Sequence, residues 1–191
     1  MKKVSLIFIL LIGFGCISYA QTITIGTQVW MTKNLDVATF RNGDPIPQAK
    51  TNEEWEKAGE NKQPAWCYYE NDPANGAKYG KLYNWYAVND SRGLAPVGYH
   101  IPSDEEWTKL TDFLGGEGVA GSNTSAFSGL PGGLRYFNGT FGSVGSLGTW
   151  WSSTEFLPSF AWSRFLNYYD GLVYGFDYGK SVGMSVRCLR D

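Results

Sequence analysis

Two adjacent tryptophans, Trp150 and Trp151, stand between a glycine and three hydroxyl residues at positions 148–154. No other stretch of the sequence places so much apolar area in so few residues. Eleven glycines precede this pair within residues 115–148. A regular helix or strand would not tolerate that density, because glycine loses the most conformational freedom on folding. The sequence therefore predicts ordered loops and short strands packed against a tryptophan core.

The first twenty residues have the three parts of a secretory signal peptide. Lys2 and Lys3 form a positive n-region, residues 4–17 are almost wholly apolar, and residues 18–20 form an A-x-A-like cleavage site. A membrane-spanning helix would need about 20 apolar residues, more than this run supplies. We therefore expect residues 1–20 to be removed.

The mature chain, residues 21–191, is then expected in the periplasm, at the cell surface or in the medium. Cys16 raises the alternative of a lipid anchor, but Gly13 stands where a lipobox usually has leucine. No linker or low-complexity break interrupts the mature chain, so we expect a single domain without a transmembrane segment.

Loss of the leader removes two lysines and no acids, so the 16 basic side chains fall to 14 against 18 acidic ones, a formal charge of −4. This balance argues against nucleic acid and against an anionic membrane surface as partners, since both select basic patches. Only 18% of residues are charged, while tryptophan and tyrosine are abundant. That composition is typical of a loop-rich extracellular domain of the α+β or β class.

Two capping-box patterns predict two short helices. Thr51 and Glu54 begin the first, which should end near residue 58. Ser103 and Glu106 begin the second, which two glycines at 115–116 should terminate. In the second helix the apolar side chains fall at helical spacing: Trp107, Leu110, Phe113 and Leu114.

Aromatic content and alternation of apolar with polar residues predict the strands. They fall at residues 22–30, 65–69, 133–136, 140–141, 160–166, 172–176 and 183–189. Residues 79–88 hold too many aromatic side chains for a solvated loop, and we expect them to be buried.

Cys67 and Cys188 remain after removal of the leader. An even pair in an oxidising compartment predicts a disulfide, and the alternative is two buried free thiols. The pair does not fit a zinc site, which needs four ligands, because His100 is the only histidine.

Five motifs follow one another along the chain: YNWYA from Tyr83, GYHIPSDEEW from Gly98, GGLR from Gly132, WWSST from Trp150 and SVRC from Ser185. In this order they resemble the Fibrobacter succinogenes major paralogous domain, a family of exported bacterial proteins of unknown biochemical activity. The resemblance covers about residues 25–191.

Residues 101–107 and 186–190 resemble, more distantly, the formylglycine-generating-enzyme superfamily. That likeness implies an α+β fold, a C-type-lectin-like or formylglycine-generating-enzyme-like domain. It implies two short helices, a small twisted antiparallel sheet, long ordered glycine-rich loops and neighbouring termini.

No convincing catalytic set accompanies this resemblance. The superfamily's enzymes hold copper through two nearby cysteines close to the C-terminus, whereas this chain has Cys188 alone in that region. A single histidine, His100, leaves little for a Ser-His-Asp or Cys-His arrangement, and a structural role is favoured for it. We predict that the protein is not an enzyme.

One loop crowds together oxygen ligands of the kind that calcium prefers: Glu70, Asn71, Asp72 and Asn75. Residues 63–65 and 88–90 are each one residue away from the triplets of calcium-dependent lectins, and Ala65 lacks the required oxygen. We favour an Asx-type turn over metal binding. No cofactor is therefore predicted, with calcium as the alternative.

The segment 162–178 mixes aromatic and polar side chains in a turn-rich region, a composition typical of binding loops. Seven residues make up the predicted ligand site: Trp162, Asn167, Tyr168, Tyr169, Asp170, Tyr174 and Tyr178. The alternative is that these rings only cover the sheet.

The leading hypothesis is a non-catalytic exported binding module for a glycan or protein at the bacterial cell surface. A diverged enzyme of the formylglycine-generating superfamily and a structural domain of a surface assembly are the alternatives.

Overall fold

A computed structural model describes residues 21–116 and 127–191, and these residues form an α+β structure. The predicted signal peptide, with Cys16, lies outside them. Within the described ranges no helix is long and apolar enough to span a membrane.

The helices are α1 Asn52–Glu60, α2 Pro73–Tyr79, α3 Trp85–Val88 and α4 Asp104–Phe113, with a 3₁₀ turn at Tyr69–Asn71. The strands are β1 Thr22–Ile25, β2 Gln28–Met31, β3 Trp66–Cys67, β4 Leu82–Tyr83, β5 Tyr99–His100, β6 Gly132–Arg135, β7 Phe141–Val144, β8 Leu147–Leu157, β9 Phe160–Asn167, β10 Val173–Gly179 and β11 Leu189–Arg190. All named strand pairs are antiparallel. The predicted α+β class is therefore confirmed, with several small sheets in place of one.

Both predicted capping boxes form. The Thr51 hydroxyl accepts the Glu54 N–H at 3.1 Å, and the Glu54 carboxylate accepts the Thr51 N–H at 3.2 Å. Ser103 and Glu106 exchange the same two bonds at the start of α4. On α4, Trp107, Leu110 and Leu114 are buried, whereas Phe113 is 57% exposed. Leu114, not Phe113, thus completes the buried face.

The Asx-type turn predicted for the loop at residues 70–76 forms only at its start, because the residues from Pro73 onward are helical. Asp72 accepts the Ala74 N–H at 2.9 Å, which is the expected Asx bond. Pro73 follows at the first helical position, where its missing N–H costs nothing. The same cap therefore begins α2, and the chain continues as helix to Tyr79.

A four-stranded sheet holds both ends of the described chain. Its order is β1-β2-β11-β5, with Leu189 of β11 opposite Trp30 of β2 and His100 of β5. The neighbouring termini that the resemblance implied are therefore present. The other sheets have the orders β10-β9-β8, β3-β4 and β6-β7.

Strand β8 separates two hydrophobic clusters, because successive side chains of a strand point to opposite faces. Trp151 lies in the larger cluster, where its Nε1 donates to the Tyr83 carbonyl at 2.9 Å. Trp150 lies in the second cluster, with its ring centroid 6.3 Å from Trp107 and 5.3 Å from Phe127. The tryptophan pair is core, as predicted, and it anchors both sides of the sheet.

The glycines around this pair allow close approach. A Cβ at Gly148 would lie 2.2 Å from the Trp150 ring. Gly133 has φ +67°, and a Cβ there would lie 2.5 Å from the Gly142 carbonyl oxygen. The strands predicted near these residues form as β6 and β7.

Residues 182–189 are all buried, but the regular strand predicted there is wrong except at Leu189. Gly183, Met184 and Ser185 form single bridges to Arg135, Tyr83 and Trp150, which lie on three different strands. A continuous ladder cannot form, because each successive residue meets a different neighbour.

The structure contradicts the predicted disulfide, since Cys67 and Cys188 are both buried free thiols. Cys67 belongs to a third cluster around Trp55 and Tyr69, whereas Cys188 belongs to the larger cluster. Burial raises the pKa of the Cys67 thiol to about 11 and that of the Cys188 thiol to about 12. Neither thiol is therefore poised to ionise or to attack.

His100 connects the C-terminus to α4. Its Nδ1 lies 2.8 Å from Asp191 Oδ1 and its Nε2 lies 2.9 Å from Glu106 Oε1. Burial lowers the pKa of His100, but the two carboxylates raise it by more, so the net shift is upward. Burial raises the pKa of Glu106, and its bonds to Ser103 and His100 bring it below 4.5. The structural role predicted for His100 is thus supported by its contacts.

We expect the two thiols to be protected from alkylation in the native protein and to react fully after unfolding, because both are buried and protonated. Mass spectrometry after labelling with and without denaturant measures this. Treatment with a reductant should not change the result, and a linked Cys67–Cys188 peptide without reductant would contradict it.

Trp151→Ala should lower the free energy of unfolding by about 3–5 kcal/mol, because it removes a fully buried ring and its hydrogen bond. Denaturant titration measures the loss. Tyr169→Ala is the control, since that ring is 87% exposed and should change little. A loss below about 1 kcal/mol in Trp151→Ala would place the ring outside the core.

The His100 contacts should stabilise the protein in acid more than in base. A raised pKa contributes stability that is full below 6.5 and is lost as the pH rises through the native value. His100→Asn should therefore reduce the free energy of unfolding by about 1 kcal/mol or less near pH 5.5 and by less near pH 8.5.

Because the chain has one histidine, the pH dependence of this difference reports on His100 directly. Urea titrations of both proteins at the two pH values measure it. An equal difference at both values would contradict the charged contact.

Candidate ligand-binding surface

The hairpin of β9 and β10 carries most of the residues predicted to bind a ligand. Tyr174, Phe176 and Tyr178 of β10 lie opposite Phe165, Ser163 and Ala161 of β9, respectively. Directly opposed residues share one face of a sheet. The three β10 rings therefore lie on one face, in a row with a two-residue period.

Their rings contact one another and a buried base. The centroids of Tyr174 and Phe176 are 5.8 Å apart, and the Phe165 centroid lies 5.6 Å from both Phe176 and Tyr178. Phe165 is buried, whereas Phe176 is 49% exposed. The row thus packs beside a buried ring of the larger cluster on the same face, with Phe176 as its exposed member and Tyr174 and Tyr178 half-buried.

Tyr136, which follows β6, packs against the same hydrophobic cluster as Tyr178. Burial, and to a smaller degree the neighbouring Tyr136, raises the pKa of Tyr178. The Tyr178 phenol is therefore neutral and able to donate a hydrogen bond. We call Tyr136, Tyr174, Phe176 and Tyr178 the aromatic surface.

Trp162 lies on the opposite face of the same hairpin. It stands opposite Asp177, and its ring centroid lies 5.0 Å from that of Phe156. Phe156 is 44% exposed and Leu157 is 50% exposed at this end of β8. The structure therefore does not bring Trp162 together with Tyr174 and Tyr178.

The turn between β9 and β10 uses its polar side chains internally. Asn167 Nδ2 donates to Asp170 Oδ2 at 3.0 Å, Asn167 Oδ1 accepts the Tyr169 N–H, and Asp170 Oδ1 accepts the Leu172 N–H. Asn167 and Asp170 are thus committed to the turn. They leave Tyr169 as its most exposed ring.

Tyr168 points elsewhere. It is 40% exposed, and burial raises the pKa of its phenol, with opposing and smaller effects from Arg187 and Tyr79. Within the described residues, Tyr168 makes no ring contact with the aromatic surface. The seven predicted residues therefore lie in separate places, and only Tyr174 and Tyr178 belong to the aromatic surface.

Sequence reasoning missed Phe176 and Tyr136. The pattern Tyr174-x-Phe176-x-Tyr178 is visible in the sequence as a period of two, and reading it as a strand face would have grouped the three rings. The contribution of Tyr136 depends on a contact between distant segments, which no local pattern reveals.

The loop proposed for calcium folds on its own contacts. Asp72 caps α2, and Asn75 Nδ2 donates to the Tyr69 carbonyl at 3.0 Å. Asn71 Oδ1 is buried and has no hydrogen-bond partner in the described structure. Across residues 21–116 and 127–191, no three His, Cys, Asp or Glu side chains are grouped as metal ligands. The bond that Asp72 accepts from the Ala74 N–H is the one expected of an Asx turn.

The sequence was compared with known protein families, curated proteins and solved structures. No curated protein and no solved structure is significantly similar to the chain. The family model described as the Fibrobacter succinogenes major domain matches residues 23–190, from β1 to β11. This match confirms the resemblance that the five motifs carried, and the protein therefore belongs to the Fibrobacter succinogenes major domain family.

Proposed function

We propose that this protein is a non-catalytic, exported binding module that recognises a saccharide at the bacterial cell surface through the aromatic surface. Its support is the row of half-buried Tyr174, exposed Phe176 and half-buried Tyr178 beside buried Phe165. Export rests on the leader at residues 1–20. A lectin-like form of the α+β fold is part of the same proposal.

The chemistry of the row suits a sugar. Pyranose rings present flat C–H faces that pack on aromatic rings, while their hydroxyl groups need hydrogen-bond partners. Tyrosine supplies both an apolar body and a polar tip. None of the four side chains carries a formal charge at neutral pH. The aromatic surface therefore favours a neutral saccharide.

The row is also ordered before a ligand arrives. Its rings stand on a strand of seven residues, and the Ser163 hydroxyl donates to the Phe176 carbonyl at 2.7 Å. Rings held on a strand lose little conformational freedom on binding, so less of the binding free energy is lost to ordering.

A protein partner is the second candidate, because β10 is an edge strand. Within the described chain the strand order places β10 at the end of its sheet, next to β9, and an edge strand is where a further strand can be added. An extended peptide could pair there and place alternate side chains on the aromatic surface.

Phe176→Ala should weaken saccharide binding by about tenfold while leaving the melting temperature nearly unchanged, because it removes an exposed ring of the row. A glycan array followed by calorimetry on the best hit measures this. Tyr174→Ala should act in the same direction.

Phe156→Ala is the matched control, since that phenylalanine is similarly exposed on the opposite face. Equal losses in the two phenylalanine variants would contradict the assignment to the aromatic surface. Binding of a peptide in place of any glycan would favour the edge-strand alternative. Repeating the array with calcium and with chelator tests the loop at Glu70, Asn71, Asp72 and Asn75.

A further inference from the structure

A second site lies in a cleft of about 410 Å³, away from the aromatic surface. It is formed by the segment after β2, by the C-terminal part of α2, and by residues close to Trp150. Its lining residues include Lys33, Asn34, Asp36, Lys78, Leu130 and Arg187. Arg187 is 1% exposed and so lies at the bottom of the cleft.

The Arg187 guanidinium is held by two oxygens. Nε and Nη2 both donate to Asn34 Oδ1, at 3.1 and 2.8 Å, and Nη1 donates to the Phe127 carbonyl. A guanidinium has five N–H donors, and the described residues accept three bonds from it. No carboxylate contacts it within the described residues.

Two aromatic rings lie close to this cation. The Arg187 Cζ lies 4.2 Å from the Phe127 centroid and 5.8 Å from that of Trp150. These cation–π contacts stabilise the charge of Arg187 inside the protein.

Arg135 is a second buried arginine of this protein. Its Nε, Nη1 and Nη2 donate to three separate carbonyls, those of Gly139, Ala49 and Thr51. Arg187 also makes three donor bonds, but two of them share one oxygen, and Arg187 lines a cleft. Burial lowers the pKa of Arg187 to about 10, as expected for a cation whose counter-charge is not provided.

The mouth of the cleft is also positive. Lys33 and Lys78 are exposed on its lining. Asp36, which also lines it, is already paired with Lys81. The cleft thus concentrates positive charge in a chain whose formal charge is −2.

We propose that this cleft binds an oxyanion, a carboxylate, sulfate or phosphate group, with Arg187 as its ligand and Lys33 and Lys78 at the entrance. Two parallel N–H groups of arginine match two oxygens of such a group. The site shares no residue with the aromatic surface, so it goes beyond the proposed function.

Trp150 provides a reporter for this site. Its Nε1 donates to Asn34 Oδ1 at 2.9 Å, the same oxygen that holds Arg187. An anion that accepts hydrogen bonds from the guanidinium changes the bonds that Arg187 makes to this oxygen. Tryptophan fluorescence should therefore change as the site fills.

The test is titration of the whole exported protein with sulfate, phosphate, galacturonate and neutral galactose at low ionic strength, followed by fluorescence and melting temperature. At least one anion should bind saturably and raise the melting temperature, because a ligand of the native state stabilises it. Galactose should do neither at this site.

The double variant Lys33→Gln/Lys78→Gln should weaken anion binding by about tenfold. Its matched control, Lys50→Gln/Lys57→Gln, removes two exposed lysines near α1 and should bind as the unaltered protein does. Arg187→Lys keeps the charge but loses the planar fork, and should abolish binding. If Arg187→Lys does not fold, the comparison of the two double lysine variants still tests the proposal.

Tighter binding of galacturonate than of inorganic anions would show that the cleft recognises an acidic sugar. Equal binding would show that it recognises the oxyanion group alone. Absence of saturable binding, or equal binding in the two double variants, would overturn the proposal. Phe176→Ala should leave anion binding intact, which separates this test from that of the aromatic surface.

Discussion

The rest of the structure depends on residues 182–189, a buried segment that has regular partner strands only at Leu189. Buried backbone groups must find hydrogen bonds, and those of this segment find them in several places. The Ser185 carbonyl accepts the Trp151 N–H at 3.1 Å, the Val186 carbonyl accepts the Leu35 N–H at 2.7 Å, and the Cys188 carbonyl accepts the Met31 N–H at 3.0 Å. One short segment thereby sets the relative positions of three others.

This central segment also explains why polar side chains are so common inside the protein. Loops that surround an irregular segment cannot satisfy one another through ladders, so side chains act in their place. Asn84 accepts the Ala65 and Ala87 N–H groups at 3.0 and 3.1 Å and donates to the Gln63 carbonyl at 2.8 Å. Arg135 performs the same task between β6 and the start of α1. Arg187 differs because two of its three bonds share one oxygen and because it lines a cleft, and this position makes it a candidate for binding.

The two proposed sites occupy different parts of this architecture for a physical reason. The aromatic surface stands on β10, the outer strand of its sheet, where a ring can pack on a buried base and still face solvent. The anion cleft lies where the segment after β2, α2 and Arg187 meet. A site of the first kind selects flat apolar faces, and one of the second kind selects charge.

Local sequence determined the features whose causes lie within a few residues. The capping boxes at Thr51 and Ser103, the burial of the tryptophan pair and the hairpin of β9 with β10 all follow from neighbouring residues, as does the family. Tertiary structure alone decided the remainder. Which face Trp162 occupies, whether Cys67 meets Cys188, and what surrounds Arg187 depend on segments far apart in the chain. No local pattern encodes those distances, because packing around residues 182–189 brings the segments together.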